Sequence, residues 1–191
     1  MKLVFATHNK NKLKEVKALM PSHITLLSLT DIGCFEEIPE TANTIEGNAL
    51  LKANFVKNNY GYSCFADDTG LEVASLNNEP GVYSARYAGP ENNAEANMSK
   101  LLDNLENKSD RDARFKTAIS LVMNTEERMF LGICEGEITR NKKGDSGFGY
   151  DPIFQPKGYN TTFSEMTLTQ KSEISHRGKA VRLLIDFLAS S

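Results

Sequence analysis

The sequence predicts a mixed α/β fold, because two hydrophobic patterns alternate along the chain. Short apolar runs, such as residues 3–7, are typical of buried strands. Between such runs, apolar residues recur at helical spacing, as at Leu13, Val16 and Met20. The composition agrees, since 40% hydrophobic and 25% charged residues are the proportions of a folded globular chain. No repeat or linker divides the 191 residues, so we expect a single domain over residues 1–191.

The first third of the chain is predicted to alternate strands and helices. The elements are a strand at 3–7, a helix that Pro21 ends, a strand at 24–29, a helix from residue 44 to about 58 and a short strand at 63–66. Asn43 should cap the second helix, because Asn43 and Glu46 have the spacing of a capping box. Residues 30–43 before this helix form an irregular acidic loop.

The rest of the chain is predicted to contain a hairpin and two further helices. The elements are a turn at 77–81, a helix at 94–105, long strands at 113–123 and 128–138, a Gly-rich loop at 141–149 and a C-terminal helix. Asn124 and Thr125 should form the turn between the long strands, which we expect to pair antiparallel. The C-terminal helix is indicated by one apolar face, made of Ala180, Leu183, Leu184, Phe187 and Leu188.

Charge and composition exclude several classes of protein. The chain has 22 Lys and Arg against 25 Asp and Glu, a net charge of -3 that argues against a nucleic-acid partner. No segment approaches the ~20 apolar residues of a membrane span, and the N-terminal apolar run is too short for a signal peptide. The scattered Cys34, Cys64 and Cys134 suit a reducing compartment and are expected to be buried. We therefore expect a soluble cytoplasmic protein.

The junction of the first strand and helix is the first candidate site. It consists of Thr7, His8, Asn9, Lys10, Asn11 and Lys12. A helix N-terminus offers backbone N–H groups and a positive dipole end, which favour phosphate, and the lysines add charge. The alternative is that Asn9 only caps the helix while the lysines are solvated. The segment has no glycine, so it is neither a Walker loop nor a dinucleotide fingerprint.

A second candidate site is acidic. Asp67 and Asp68 follow a strand, and Mg²⁺ is commonly held by one or two carboxylates plus substrate phosphates. Strand alternation lets only one of the pair face a given site, and the alternative is an Asx turn ended by Gly70. Glu37 or Glu40 could add a ligand or lie in a solvated loop. Lys52 is expected to pair with a carboxylate or to face a phosphate.

A third set of residues lies toward the C-terminus. In residues 147–152, two glycines flank Phe148, so the backbone can approach a ligand while the ring offers a stacking face. Asp151 could accept hydrogen bonds from a base edge. The alternative is a turn whose aromatic residues pack inward. Lys171, His176 and Arg177 could donate hydrogen bonds to carbonyl or phosphate oxygens.

Taken together, these segments resemble the inosine triphosphate pyrophosphatase family, which acts on non-standard purine nucleoside triphosphates. The matching blocks run in the family's order from residue 5 to 180: FATHNKNKLKEV, EEIPETANTIEGNALLKA, FADDTGLEV with PGVYSARYAG, GFGYDPIF, and FSEM with KSEISHRGKA. The resemblance implies an elongated mixed sheet flanked by helices, two lobes with a central cleft and a homodimer. It also implies Mg²⁺-dependent hydrolysis of ITP, dITP and XTP to the nucleoside monophosphate and pyrophosphate.

Roles for individual residues follow from the same resemblance. Asp68 would be the catalytic residue that activates water and, with Glu40, a magnesium ligand, while Asp67 supports it. The segment from Thr7 to Lys12 would bind the triphosphate, assisted by Thr69. The base would be held by Phe148, Gly149, Tyr150, Asp151, Lys171, His176 and Arg177, with the Phe148 ring stacked on it.

The chain departs from the family pattern at three positions. His8 stands where many members have Gly, Ala42 replaces a usual Gly, and Gly47 replaces a common Glu. The last two leave open whether Glu37 or Glu40 faces the metal. Two other functions remain open. One is a Maf-type nucleotide pyrophosphatase of different specificity, which the residues assigned to purine binding disfavour. The other is a non-catalytic nucleotide sensor, which would not need Asp68.

Overall fold

The computed structural model describes residues 1–123 and 126–190 as a mixed α/β protein. The strands are β1 (Lys2–Phe5), β2 (Thr25–Leu27), β3 (Cys64–Val73), β4 (Glu79–Gly81), β5 (Asp112–Met123), β6 (Glu126–Ile138) and β7 (Phe154–Pro156). The α-helices are α1 (Lys10–Leu19), α2 (Ile45–Tyr60), α3 (Ala94–Asn104), α4 (Leu168–Ile174) and α5 (His176–Ser190).

The sheet has the strand order β2-β1-β3-β5-β6-β7, and β4 pairs with β3. β1 runs parallel to both β2 and β3, whereas β4 pairs antiparallel with β3 and β7 antiparallel with β6. Parallel and antiparallel pairs therefore occur in one sheet, which confirms the predicted mixed fold class. The chain divides into two compact units.

The first unit comprises residues 1–68, 117–132 and 177–191, of which Asn124, Thr125 and Ser191 lie outside the described part. Successive side chains of β1 and β3 point to opposite faces of the sheet. One face packs on α1 and α5 and includes Phe5 stacked on Phe65 with ring centroids 4.7 Å apart. The other face packs on α2 and includes Val4 and Ala66. This two-sided arrangement decides where the aspartates that follow Ala66 point.

The second unit comprises residues 69–116 and 133–176. Its core joins the C-terminal half of β3 and α3 to an aromatic cluster centred on Phe115. The Phe115 ring lies 4.7 Å from that of Phe154 and is stacked on His176 at 4.5 Å. The cluster anchors the segments before and after α4.

Several boundaries differ from the sequence predictions. β3 does not end at residue 66 but continues to Val73, because the aspartates are compensated by cations and the strand can bury them. Thr44, not Asn43, caps α2, since the Thr44 hydroxyl accepts the Gly47 N–H at 3.0 Å. The helix α4 and the short strands β4 and β7 were not predicted. The predicted turn at Asn124 and Thr125 lies outside the described residues.

Other expectations are confirmed. The long strands and the helix at 94–105 occur within one or two residues of their predicted bounds. All three cysteines are buried, and burial raises the pKa of the Cys64 thiol to about 12. Within residues 1–123 and 126–190, no helix is long and apolar enough to cross a membrane.

Candidate functional site

Two adjacent aspartates of β3 form the centre of a charged cluster in the first unit. Asp67 has the same parity as Phe65 and therefore faces α1 and α5, whereas Asp68 has the parity of Ala66 and faces α2. Both side chains are buried, with 0% and 7% of their residue surface exposed. The strand's alternation thus gives the two carboxylates separate sets of partners.

Asp67 is held by two cations. Lys12 Nζ donates to Oδ1 at 3.0 Å, and Arg177 Nε donates to Oδ2 at 3.1 Å. Arg177 also donates from Nη1 to Glu15 Oε2 at 2.5 Å. Burial by itself would raise the pKa of Asp67, but Lys12 and Arg177, followed by Lys52, outweigh it and hold that pKa well below its usual range. Asp67 is therefore ionised at neutral pH.

Asp68 has a different environment. Asn48 Nδ2 donates to Oδ2 at 3.2 Å, and Lys52 Nζ lies 3.8 Å from Oδ1. Burial raises the pKa of Asp68. The positive charges of Lys52 and Lys12 lower this pKa, and the negative charges of Glu40 and Asp67 raise it further, so the net shift is upward. A carboxylate with a raised pKa is a better proton acceptor, so Asp68 is suited to act as a general base.

Lys52 joins Asp68 to Glu40. The Lys52 ammonium donates to Glu40 Oε1, which confirms that this lysine pairs with carboxylates. Burial by itself lowers the pKa of Lys52, but Asp68 and Glu40 outweigh it and the pKa is raised. Glu40 is half-buried beside this pair, whereas Glu37 is exposed. The geometry therefore favours Glu40 over Glu37 as a partner of Asp68.

The donor set of Asp68 and Glu40 fits a magnesium ion. Both groups supply hard oxygen ligands, and Mg²⁺ usually binds one or two carboxylates and completes its shell with water and phosphate oxygens. Among residues 1–123 and 126–190, no group of three or more His, Cys, Asp or Glu is arranged to hold a metal alone. A site for Mg²⁺ here would therefore need oxygen atoms from a bound phosphate or from water.

Residues 7–12 form the start of α1. Asn9 caps the helix, since its Oδ1 accepts the N–H groups of Asn11 and Lys12 at 2.9 and 3.1 Å. The cap at Asn9 is thus confirmed, and these two N–H groups already have a partner, but Lys12 is not solvated as that alternative expects, because it pairs with Asp67. Thr7 Oγ1 accepts the Asn9 N–H at 3.1 Å. His8 Nε2 contacts the Glu36 carbonyl oxygen at 2.9 Å. Of the lysines, Lys10 is exposed. Lys12 is part-buried, and burial lowers its pKa even though the negative charge of Asp67 raises it.

In the second unit, residues 147–151 form a loop around the Asp151 carboxylate. Asp151 Oδ2 accepts the Phe148 N–H at 2.8 Å and Lys171 Nζ at 2.6 Å. Gly147 has φ +79°, and a Cβ there would lie 2.1 Å from Asp151 Oδ2. The first contribution of Asp151 is therefore to shape the loop and to place the Lys171 ammonium 4.9 Å from the Phe148 ring centre.

The remaining predicted site residues have different surroundings. Tyr150 is buried and donates to the Ser84 carbonyl oxygen at 2.8 Å, so its ring packs inward. Gly149 has a left-handed backbone with φ +61°, and Thr69 is half-buried in β3 directly after Asp68. His176 is buried against Phe115. Arg177, which the sequence grouped with His176 at the base, instead lies between Asp67 and Glu15 in the first unit.

Two buried members of the cluster had no assigned role in the sequence predictions. Glu15 follows Lys12 by three residues on α1, a spacing that places both on one helix face. Asn48 follows Ile45 on α2 by the same spacing, and an amide at a core position of a helix is a signal of a buried hydrogen bond.

Buried carboxylates with shifted pKa values beside ammonium and guanidinium groups are typical of enzyme sites. Fold and site together define the class, an α/β enzyme with a buried cluster of paired carboxylates and cations. More particularly, the chain belongs to the Ham1 family, whose sequence model matches residues 3–187.

Comparisons with individual proteins agree with this assignment. The chain is 60% identical over 98% of both chains to the dITP/XTP pyrophosphatase of Flavobacterium psychrophilum. It is 61% identical to that of Christiangramia forsetii, over 99% of this chain and all of the other. The Ham1 protein of Staphylococcus aureus superposes with a TM-score of 0.90 at 39% identity, over 100% of this chain and 99% of that one. The HAM1 protein of Coxiella burnetii gives a TM-score of 0.92 at 36% identity over both full chains. The family resemblance drawn from the motifs is confirmed.

Proposed function

We propose that this protein is a nucleoside triphosphate pyrophosphatase that removes non-standard purine nucleotides, such as ITP, dITP and XTP, from the nucleotide pool. The observation that carries the proposal is the buried Asp68, held between Asn48 and Lys52 with Glu40 close by. The family membership and the names of the relatives support the choice of substrate.

The proposed reaction cleaves the bond between the α- and β-phosphates. A water molecule adds to the α-phosphorus, the bond from this phosphorus to the oxygen that bridges it to the β-phosphate breaks, and pyrophosphate leaves with that oxygen. Asp68 accepts the proton of the attacking water and so acts as the general base. Asp67 stays ionised and holds Lys12 and Arg177 in place.

Asp68 and Glu40 would hold a magnesium ion. The ion pairs of the first unit's cluster join four carboxylates, Glu15, Glu40, Asp67 and Asp68, to three cations, Lys12, Lys52 and Arg177. Four minus three leaves one net negative charge, which favours a further cation. When bound, Mg²⁺ would offset negative charge on the triphosphate and on the leaving pyrophosphate.

The nucleotide's parts would be bound by different segments. The start of α1, with the exposed Lys10 and the part-buried Lys12, would bind the triphosphate, as would Thr69. Phe148 would stack on the base, while Lys171 and His176 would donate to the 6-oxo group. Adenine's 6-amino group offers no acceptor, and a buried donor left without one costs ~1–3 kcal/mol. This difference corresponds to roughly ten- to hundredfold discrimination.

A substrate panel tests the proposal. Pyrophosphate release is measured from ITP, XTP, ATP and GTP, with and without Mg²⁺. We expect release from ITP and XTP to exceed that from ATP at least about tenfold, through the 6-oxo contact, and to require the metal. We also expect it to exceed release from GTP, which shares the 6-oxo group and differs from the proposed substrates at position 2 of the base. Equal rates for all four nucleotides would contradict the selectivity for non-standard over standard purines and would favour a pyrophosphatase of different specificity. Binding of ITP without any release would instead indicate a nucleotide sensor.

The role of Asp68 is tested by Asp68→Asn, which keeps the shape and removes the proton acceptor. We expect this variant to lose at least about a thousandfold in kcat while it retains its fold by circular dichroism. Asp112→Asn, which alters an exposed carboxylate at the start of β5, is the matched control and should keep wild-type activity.

The assembly and the location are also part of the proposal. The family resemblance implies a homodimer, so sedimentation equilibrium should give about twice the chain mass of 21.2 kDa. A monomer at micromolar concentration would contradict the proposed homodimer.

The composition and the reducing environment expected for the cysteines support a cytoplasmic enzyme that acts on small nucleotides rather than on nucleic acid.

A further inference from the structure

Asn48 connects the acidic loop to the proposed general base. Its side chain is completely buried on α2, and Oδ1 accepts the Ala42 N–H at 2.9 Å while Nδ2 donates to Asp68 Oδ2 at 3.2 Å. The orientation of the amide is determined, because a backbone N–H can only donate and therefore requires the oxygen. The nitrogen must then face Asp68.

The loop that supplies the Ala42 N–H is packed against the first turn of α2. A Cβ at Gly47 would lie 2.7 Å from the Ala42 Cβ and 3.0 Å from Thr44 Oγ1, so residue 47 must be glycine while the loop stays in place. Ala42 and Gly47 therefore touch, since the Ala42 methyl occupies the space that a side chain at position 47 would need.

We propose that Asn48 is a positioning residue for Asp68, and that the close contact of Ala42 with Gly47 holds Asn48 in register. A carboxylate can rotate about its last bond unless one oxygen is held. Asn48 holds Oδ2, which leaves Oδ1 on the side of Lys52. The inference rests on the proposed role of Asp68 as the general base.

Asn48→Asp is the sharpest test, because it keeps an acceptor for the Ala42 N–H and replaces the donor to Asp68 by a carboxylate oxygen that repels it. We expect kcat for ITP to fall at least about 10- to 100-fold, from the lost hydrogen bond to a charged group together with this repulsion. KM should stay within about threefold, since Asn48 acts through Asp68 and not on the nucleotide.

Asn97 offers a matched control in the second unit. It is also buried on a helix, and it bridges two backbone groups, accepting the Ala88 N–H at 2.7 Å and donating to the Ala85 carbonyl oxygen at 2.8 Å. Asn97→Asp therefore makes the same chemical change at a bridge without a catalytic carboxylate. We expect it to lower the unfolding temperature while leaving kcat within about twofold of wild type.

The contact between Ala42 and Gly47 gives a second test that leaves Asn48 intact. Gly47→Ala should displace the loop and lower kcat with little change in KM, and Ala42→Gly combined with Gly47→Ala should restore most of the loss. Unchanged kcat in Asn48→Asp or in Gly47→Ala overturns the inference, provided that the wild type releases pyrophosphate from ITP. A wild type that releases none from any nucleotide overturns the proposed function instead.

Discussion

Asp67 and Asp68 are chemically identical neighbours whose pKa values are shifted in opposite directions. Asp67 meets Lys12 and the Arg177 guanidinium on the α1 and α5 face, and these cations hold its pKa low despite burial. Asp68 meets a neutral amide and a lysine that it shares with Glu40, and burial raises its pKa. The period of two in a strand is therefore sufficient to give two adjacent carboxylates different partners and pKa values shifted in opposite directions.

The low pKa of Asp67 predicts an acid-dependent loss of stability. An unfolded aspartate has a pKa of about 3.9, above the folded value, so the unfolded chain takes up the proton first as the pH falls. The stabilisation by Asp67 is therefore complete above about pH 5 and decreases below about pH 4. Urea unfolding of wild type and Asp67→Asn should show a constant difference in unfolding free energy from pH 5 to 7 that shrinks below pH 4. A difference that is independent of pH down to 3 would contradict the assignment.

Arg177 should be one of the most sensitive positions of the first unit. Its guanidinium is 2% exposed and joins Asp67 to Glu15, so Arg177→Met leaves two buried carboxylates without that cation. We expect a loss of about 3–5 kcal/mol in unfolding free energy, measured by urea denaturation. Arg114→Met removes the pair with Glu72, in which the arginine side chain is 46% exposed, and should cost less than about 1 kcal/mol. Equal losses in the two variants would show that burial does not determine how much an ion pair contributes to the unfolding free energy.

At the scale of elements, the loop at residues 147–151 is built around one close approach. Gly147→Ala would place a Cβ against Asp151 Oδ2 and would require a left-handed backbone from alanine. We expect the loop to shift, with KM for ITP rising about tenfold or more because Phe148 moves with it. Gly149→Ala is the matched control. It has φ +61° but no atom within 4 Å of the new Cβ, so it costs only about 1 kcal/mol of backbone strain. An unchanged KM in Gly147→Ala would show that the position of Phe148 does not matter for binding of the base.

The elements that were predictable from the sequence are those whose pattern is local. α3 and the strands β5 and β6 carry long periodic apolar runs, and their bounds were predicted closely. The length of β3 was not predictable, because Asp67 and Asp68 look like a strand end until the cations from distant segments are known. The sequence predicts Asn43 as the cap of α2, whereas the structure has Thr44. The two cannot be told apart locally, because both are good capping residues and they are adjacent. The pairing of Arg177 with Glu15 joins residues far apart in the chain, which no local pattern contains.

At the scale of the whole molecule, the net charge of -3 gives little information, whereas the placement of the charges gives much. The cluster of Glu15, Glu40, Asp67 and Asp68 with three cations lies in the first unit. The second unit holds Lys171 beside Phe148 and Asp151. The placement of the charges is therefore more informative about small ligands than their sum, because single cations are held at defined positions.

Nucleotide selectivity should also appear in the stability of the whole protein, independently of turnover. A ligand that binds only the folded state adds about 1.4 kcal/mol when present at ten times its Kd. For a chain of this size, that gain raises Tm by about 3–6 °C. We expect IMP, the product of ITP hydrolysis, to produce such a shift in a thermal unfolding scan of the wild-type protein. AMP at the same concentration should produce at most a small shift, because a 6-amino group cannot accept from the donors proposed to face the 6-oxo group. Equal shifts for IMP and AMP would locate the discrimination in the reaction step rather than in binding of the base.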